Sequence, residues 1–287
     1  MPFYVYAWIA CIASASTIII TKLTSRFSIR NPWLFNFIWA FIILVFTIPP
    51  ALYYHAGLPK DWWPVIVAGI LAAAWNILYI QSMYKIEVST LSPLFNFRLV
   101  FAVILGSVLF QEQLTTYQFI LFIVILLGGI LASLDEKLKV SSFFKPSIGI
   151  GLLAMLALAL NNAVIKIALV NNSLWTANLW MAIVTFATFI PTLFLFKKDI
   201  KNITSQQVLP VIGMGILQTV TNAAANIAYS KNLSITSLIM AVPLSMIFAF
   251  LFSLFAPKLL EKHSLKIYAI RFIAAAIMIY CTLQLSK

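Results

Sequence analysis

The chain has 287 residues, of which 63% are hydrophobic and 9% are charged, and its formal net charge is +12 at pH 7. A soluble domain of this size does not need so many apolar residues, so the composition predicts a polytopic membrane protein. The lysines and arginines lie mainly in short segments between apolar runs, which is typical of contacts with lipid headgroups and argues against a nucleic-acid partner.

Ten apolar runs are long enough to cross the hydrocarbon core of a bilayer, which takes about 20 helical residues. In chain order they cover residues 3–21, 33–54, 64–84, 92–110, 116–134, 148–169, 174–196, 208–230, 236–255 and 267–284. The longest polar connection, residues 135–147, falls midway along the chain. The sequence therefore predicts an all-α membrane protein with ten transmembrane helices, divided into a first unit (1–137), a connecting loop (138–147) and a second unit (148–287).

The two units share a pattern of residues. Seven residues in the third run recur with the same identity 146 positions later, beginning with Pro64 and Pro210 and ending with Asn76 and Asn222. Because each unit holds an odd number of spans, the second copy enters the membrane in the opposite direction. The pattern therefore predicts two inverted five-helix repeats, an arrangement that places a binding site near the membrane midplane between the repeats.

Two basic residues inside apolar runs are candidates for binding an anionic substrate. Arg98 lies well inside the fourth run, and Lys166 lies near the end of the sixth. An uncompensated cation at membrane depth is costly, and a guanidinium pairs with a carboxylate or phosphate through two parallel hydrogen bonds. The structural alternatives are that Arg98 snorkels or binds backbone carbonyls, and that the long stem of Lys166 reaches the interface. Arg271, about one turn inside the tenth run, is expected to be interfacial.

Amide and aromatic side chains complete the predicted site. Gln218, Asn222 and Asn226 follow one another at a spacing of four, so three amides share one face of the eighth helix. The alternative role for any single asparagine is interhelical hydrogen bonding, worth about 0.6 kcal/mol in membranes. The substrate-binding residues predicted from these patterns are Trp75, Asn76, Tyr79, Asn96, Arg98, Asn162, Lys166, Gln218, Asn222 and Asn226.

Catalytic and metal-binding motifs are absent from the sequence. The two histidines, His55 and His263, lie between apolar runs, and Gly149-x-Gly151 opens an apolar helix, which favours helix packing over nucleotide binding. No carboxylate lies within a run, which argues against simple proton antiport, and Glu112 near a helix end is the only fallback. We therefore predict that the protein is not an enzyme and has no catalytic residues, no metal site and no cofactor.

Several short features along the whole chain resemble one family of membrane proteins. They are Lys22 repeated as Lys166, Pro93, Glu112, Gly128-Gly129, Glu261 and Ala274-Ala275-Ala276. In these features the chain resembles the EamA-like ten-helix transporters of the drug/metabolite transporter superfamily. It departs from the family in the second run, where Asn36 and Trp39 stand in place of a frequent arginine. The resemblance implies export of amino acids or other metabolites, or exchange of phosphorylated compounds, by alternating access.

The predicted function is secondary transport of a small organic metabolite with an anionic or zwitterionic head, by alternating access through a central cavity between the repeats. The predicted partners are a small-molecule substrate and the lipid bilayer, with no nucleic acid, and the chain is expected to act as a monomer or a homodimer. The alternative is a lipid-handling, flippase-like protein or a partner subunit, since an amphiphile would also suit a basic pocket lined by aromatic residues.

The distribution of basic residues predicts the topology. Thirteen of them lie in or beside the connections on one side of the predicted bundle, and three lie on the side that carries the termini. The positive-inside rule therefore places both termini outside the cell membrane, which we take to be a bacterial inner membrane. The family resemblance implies the opposite orientation, with both termini in the cytoplasm.

Overall fold

The computed structural model describes residues 1–85, 88–133, 146–201, 203–242, five positions between 244 and 251, and 265–285. Helix dominates these residues, and no strand occurs among them. Within this part of the chain, six helices are long and apolar enough to cross a membrane, and three shorter apolar helices accompany them. The fold is that of an all-helical, multi-pass membrane protein.

Ten helices of eight or more residues occur in the described part of the chain. They are α1 (Phe3–Phe27), α2 (Pro32–Tyr53), α3 (Trp62–Lys85), α4 (Val88–Phe110), α5 (Thr116–Ser133), α6 (Pro146–Asn171), α7 (Leu174–Phe189), α8 (Ser205–Lys231), α9 (Leu233–Met240) and α10 (Leu265–Leu285). A 3-10 helix, Ile190–Leu195, continues α7, and the short helix Lys197–Ile200 follows it. Nine of the ten predicted runs coincide with a helix of similar extent, and the ninth run is the exception.

Polar residues in the connections explain where several helices begin. The side chain of Asn31 accepts a hydrogen bond from the backbone N–H of Trp33 at 2.9 Å and thereby caps α2. Ser173 caps α7 and Asn232 caps α9 in the same manner. Asn232 is also the single residue between α8 and α9, so its cap fixes the point where one helix gives way to the next.

The ninth predicted helix is interrupted: α9 stops before its middle, and the described residues Leu244, Ser245, Ile247, Phe248 and Leu251 are helical again. The sequence pattern predicted a run over residues 236–255, whereas α9 ends at Met240 and the turn residues Ala241 and Val242 follow it. Proline disfavours helical dihedral angles in the residue before it, so the proline at position 243 explains the early stop. Pro243 itself lies outside the described residues.

Helix pairs from the two halves of the sequence build the bundle. The pairs are α3 with α6, α1 with α8, α2 with α7, and α5 with α10. Gly69 of α3 lies so close to α7 that a Cβ added there would be 2.6 Å from Val184, and Gly215 of α8 is pressed against Ile42 of α2 in the same way. Glycine at these two positions therefore permits a close approach of helices, as small residues commonly do in membranes.

An apolar cluster closes one end of the bundle. Phe35, Trp39, Ile80, Phe196 and Met214 pack together from α2, α3, α8 and the segment after α7, and each is less than 2% exposed. We call these five residues the inner cluster. These large apolar side chains are buried against one another. Such packing is the main stabilising interaction in a region that lipid cannot enter.

Polar contacts lie beside the inner cluster and tie the same segments together. The hydroxyl of Tyr84 donates to the backbone carbonyl of Ile29. The amide of Gln207 donates to the carbonyl of Ser28 at 2.8 Å, and the amide of Asn31 donates to Asp199 at 2.6 Å. This end of the bundle is therefore closed by both apolar packing and hydrogen bonds.

Candidate functional site

A cavity of about 160 Å³ lies among α1, α2, α3, α4, α6, α7, α8 and α9. Seven of the ten predicted site residues line it: Trp75, Asn76, Arg98, Asn162, Gln218, Asn222 and Asn226. The volume is small compared with the 300–1,000 Å³ or so of sites for drug-sized ligands, so the cavity suits a small solute. The predicted residues come from four helices, and the fold brings them to one space.

The other three predicted residues have different positions. Tyr79 is buried, and its ring stacks on Trp75 with centroids 4.8 Å apart, so it supports a wall residue rather than lining the cavity. The side chain of Asn96 lies outside the described residues. Lys166 does not line the cavity but forms an ion pair with Glu112. The interpretation of Lys166 as an uncompensated cation is therefore wrong, because its charge already has a partner.

Arg98 combines two roles that the sequence presented as alternatives. It lines the cavity, and its Nη2 also donates a hydrogen bond to the backbone carbonyl of Met240, the last residue of α9. The early end of α9 supplies that carbonyl, because an interior helical carbonyl is already bonded within its helix. A guanidinium has five N–H donors, so one bond to Met240 leaves donors for a ligand. The structure thus holds Arg98 in place at the cavity.

Amide side chains along the cavity wall bond to one another. The Nε2 of Gln218 donates to the Oδ1 of Asn222 at 2.8 Å, and the Nδ2 of Asn226 donates to the Oδ1 of Asn178 at 2.6 Å. Asn178 was not among the predicted site residues, although it occupies the position in the second unit that matches Asn36 in the first. That repeat match was the signal that could have found it.

Two further cavity residues connect helices by hydrogen bonds. Asn161 donates from its Nδ2 to the carbonyl of Ala68 at 2.6 Å, and Thr185 donates from its hydroxyl to the carbonyl of Gly69 at 3.0 Å. Both acceptors lie on α3, so these bonds join α6 and α7 to the same helix. Interhelical bonding, the alternative considered for the predicted asparagines, is thus the observed role of Asn161.

Comparison with known proteins relates the first part of the chain to a family of transporters. The model of the EamA-like transporter family matches residues 1–134. A solved crystal structure resembles the whole chain with a TM-score of 0.73, at 16% sequence identity over 97% of this chain and 94% of that one. At this identity the likeness shows the shared fold alone. No curated protein matches the sequence.

The apolar helices indicate a multi-pass membrane protein, and its first 134 residues are similar to the EamA-like transporters. Members of the EamA-like family are transporters rather than enzymes. The described lining of the cavity contains one charged side chain, Arg98.

Glu112 and Lys166 form a second polar centre in the protein. Glu112 follows α4, and its carboxylate pairs with Lys166 of α6 while accepting hydrogen bonds from the backbone N–H groups of Leu233 and Ser234, at 2.8 and 2.9 Å. The hydroxyl of Ser234 also donates to it, at 2.7 Å. A carboxylate at the N-terminus of α9 satisfies free N–H groups and complements the positive end of the helix dipole.

The environment of Glu112 favours its ionised form. Burial acts to raise the pKa of this carboxyl group, but the hydrogen bonds from Lys166, Leu233 and Ser234 outweigh it and hold the pKa below the ordinary value. The ammonium of Lys166 also lies over the ring of Phe110, 4.6 Å from its centroid. This ion pair thus joins α4, α6 and α9, three of the helices that surround the cavity.

Proposed function

We propose that the protein is a secondary transporter that moves a small organic metabolite with an anionic or zwitterionic head across the membrane through the cavity. The observation that carries the proposal is the placement of Arg98 as the one charged side chain among the described lining residues, in a cavity rich in amides. A lone guanidinium within apolar helices favours a ligand that brings a carboxylate or phosphate.

We also propose that residues 1–137 and 148–287 are inverted repeats that exchange access between the two sides of the membrane. Exchanging the two halves turns the α3–α6 pair into the α8–α1 pair and leaves α2–α7 and α5–α10 unchanged. The approaches of Gly69 to Val184 and of Gly215 to Ile42 are related by the same exchange. Both correspondences support a two-fold relation between the halves.

We propose that the substrate moves by exchange or by facilitated diffusion. The described lining contains no carboxylate that could release a proton when the substrate binds. Glu112 lies outside the lining and is held in the ionised form by its partners. Substrate exchange requires only that the loaded cavity change its access, and it needs no titrating group.

The test is transport by purified protein in liposomes. Amino acids, organic acids, phosphorylated metabolites and cationic amines are first screened by the rise in Tm that binding causes, and the solutes that bind are then assayed for uptake. Arg98→Ala and Arg98→Lys should each lose about 10–100-fold in uptake, because a charge-assisted hydrogen bond contributes about 1.5–3 kcal/mol and lysine lacks the planar fork.

The control variant is Arg30→Ala, which removes an exposed arginine and should transport as the wild type does. Unchanged uptake by Arg98→Ala, or no solute flux above that of protein-free liposomes, would overturn the proposed function.

A further inference from the structure

Two buried hydrogen-bond donors at the cavity have no partner among the described residues. Asn178 is 7% exposed, its Oδ1 already accepts from Asn226, and its Nδ2 has no partner among the described residues. The indole N–H of Trp75 is buried and likewise has no partner in the described part of the chain. Both residues line the cavity. Buried donors are rarely left without an acceptor, so these two groups indicate that a ligand supplies one.

Three acceptors at the cavity are already occupied. The Oδ1 of Asn222 accepts from Gln218, as that of Asn178 accepts from Asn226, and Arg98 occupies the carbonyl of Met240. Each amide pair uses one N–H and one oxygen and leaves one NH₂ group and one oxygen. The buried polar atoms without a partner among the described lining residues are both donors, those of Asn178 and Trp75.

The charge of the lining also favours an anionic ligand. Arg98 is positive, and no aspartate or glutamate is among the described lining residues. A ligand ammonium would thus enter a cationic site in which no carboxylate would neutralise it.

We propose that the cavity binds a small monocarboxylate with a hydrogen-bond acceptor next to the acid group, as in 2-oxo and 2-hydroxy acids, and that it discriminates against 2-amino acids. The carboxylate pairs with Arg98, and the adjacent oxygen accepts from the free N–H groups of Asn178 and Trp75. One guanidinium matches one carboxylate, whereas a phosphate monoester brings a second charge without a second cation. This inference rests on the proposed function and narrows its substrate class.

The experiment compares acids that share one carbon skeleton, using the purified full-length chain. For skeletons of three to six carbons, the 2-oxo acid, the 2-hydroxy acid, the 2-amino acid and the corresponding amine are titrated while Tm is followed. The oxo and hydroxy acids of at least one skeleton should bind at least about tenfold more tightly than the amino acid, and the amine should not bind.

Asn178→Asp tests the same idea by changing the charge of the wall. Aspartate keeps the oxygen that accepts from Asn226 and replaces the free NH₂ group by an anion. This variant should bind the oxo acid more weakly than the wild type and gain affinity for the amino acid. Asn36→Asp is the matched control, because Asn36 is a buried asparagine at the equivalent repeat position that does not line the cavity.

Trp75→Phe keeps the ring and removes only the N–H group. The preference of the wild type for the 2-oxo acid over the unsubstituted carboxylic acid should decrease in this variant. Equal or tighter binding of the amino acid to the wild type, or binding of phosphorylated compounds but of no acid in the panel, would overturn the inference and leave the proposed transport function standing. Absence of flux for every solute class overturns the proposed function itself.

Discussion

Replacing Glu112 by glutamine should destabilise the protein strongly, because it breaks a buried ion pair from one side. The two side chains are only 9% and 15% exposed, for Glu112 and Lys166 respectively, so the lysine would be left with a buried charge and no counter-ion. Breaking such a pair costs about 3–5 kcal/mol. We take about 3 kcal/mol, since Phe110 continues to contact the ammonium, and about 2 °C per kcal/mol for a protein of this size gives a fall in Tm of about 6 °C.

The matched variants separate the ion pair from the hydrogen bonds of Glu112. Lys166→Met should cost less, about 2 kcal/mol, because the carboxylate keeps the three donors that Leu233 and Ser234 supply. The double variant should be less destabilised than the sum of the two single variants, by about 1–3 kcal/mol. Asp199→Asn is the control at an exposed carboxylate and should cost less than about 1 kcal/mol.

The measurement is thermal unfolding of each purified variant in the same detergent. A Tm for Glu112→Gln within about 1 °C of the wild type, or strictly additive effects in the double variant, would refute the reasoning.

Thermal unfolding at acid pH tests the role of Glu112 independently. Since the pKa of Glu112 is lower in the folded protein than the ordinary value of 4.5, its stabilisation is complete above that pH and is lost as the pH falls through the folded pKa. Glu112→Gln should lack this component of acid destabilisation.

Two other predictions concern packing and topology. Gly215→Ala should lower Tm by several degrees because the new methyl group overlaps Ile42, and adding Ile42→Ala should restore part of the loss. The control is Gly213→Ala on the same helix, where the methyl group meets open space and Tm should stay the same or rise slightly. A neutral Gly215→Ala would contradict the close approach. For topology, Ser286→Cys in a cysteine-free background should react with an impermeant reagent in intact cells, and Ser141→Cys should not. The opposite labelling pattern would show that the termini face the cytoplasm, as the family resemblance implies.

Much of the fold could be predicted because lipid imposes simple rules on sequence. A spanning helix must be long and apolar, so the ten runs are visible in the residues alone, and nine of them coincide with helices of similar extent. The exception, α9, ends early where backbone geometry before a proline overrides hydrophobicity. A hydrophobic run shows that a segment is apolar enough to cross a membrane, but it does not show where the helix is interrupted.

The cavity residues were partly predictable for a related reason. Polar side chains such as Asn76 and Asn222 are costly against lipid, so their presence in apolar runs indicated a shared interior space. The pairing of Lys166 with Glu112 could not be read from the sequence, because the two residues are 54 positions apart and meet only when α4 and α6 pack together. Spacing along one helix predicts a shared face, whereas contacts between helices depend on packing.

The inner cluster determines how transport should depend on temperature. Under the alternating access proposed here, opening that end of the bundle requires α2, α3 and α8 to separate, so that Phe35, Trp39 and Met214 become wetted. Exposure of apolar surface raises the heat capacity. The enthalpy difference between the two access states would then change with temperature, and the transport rate should follow a curved rather than a straight Arrhenius plot.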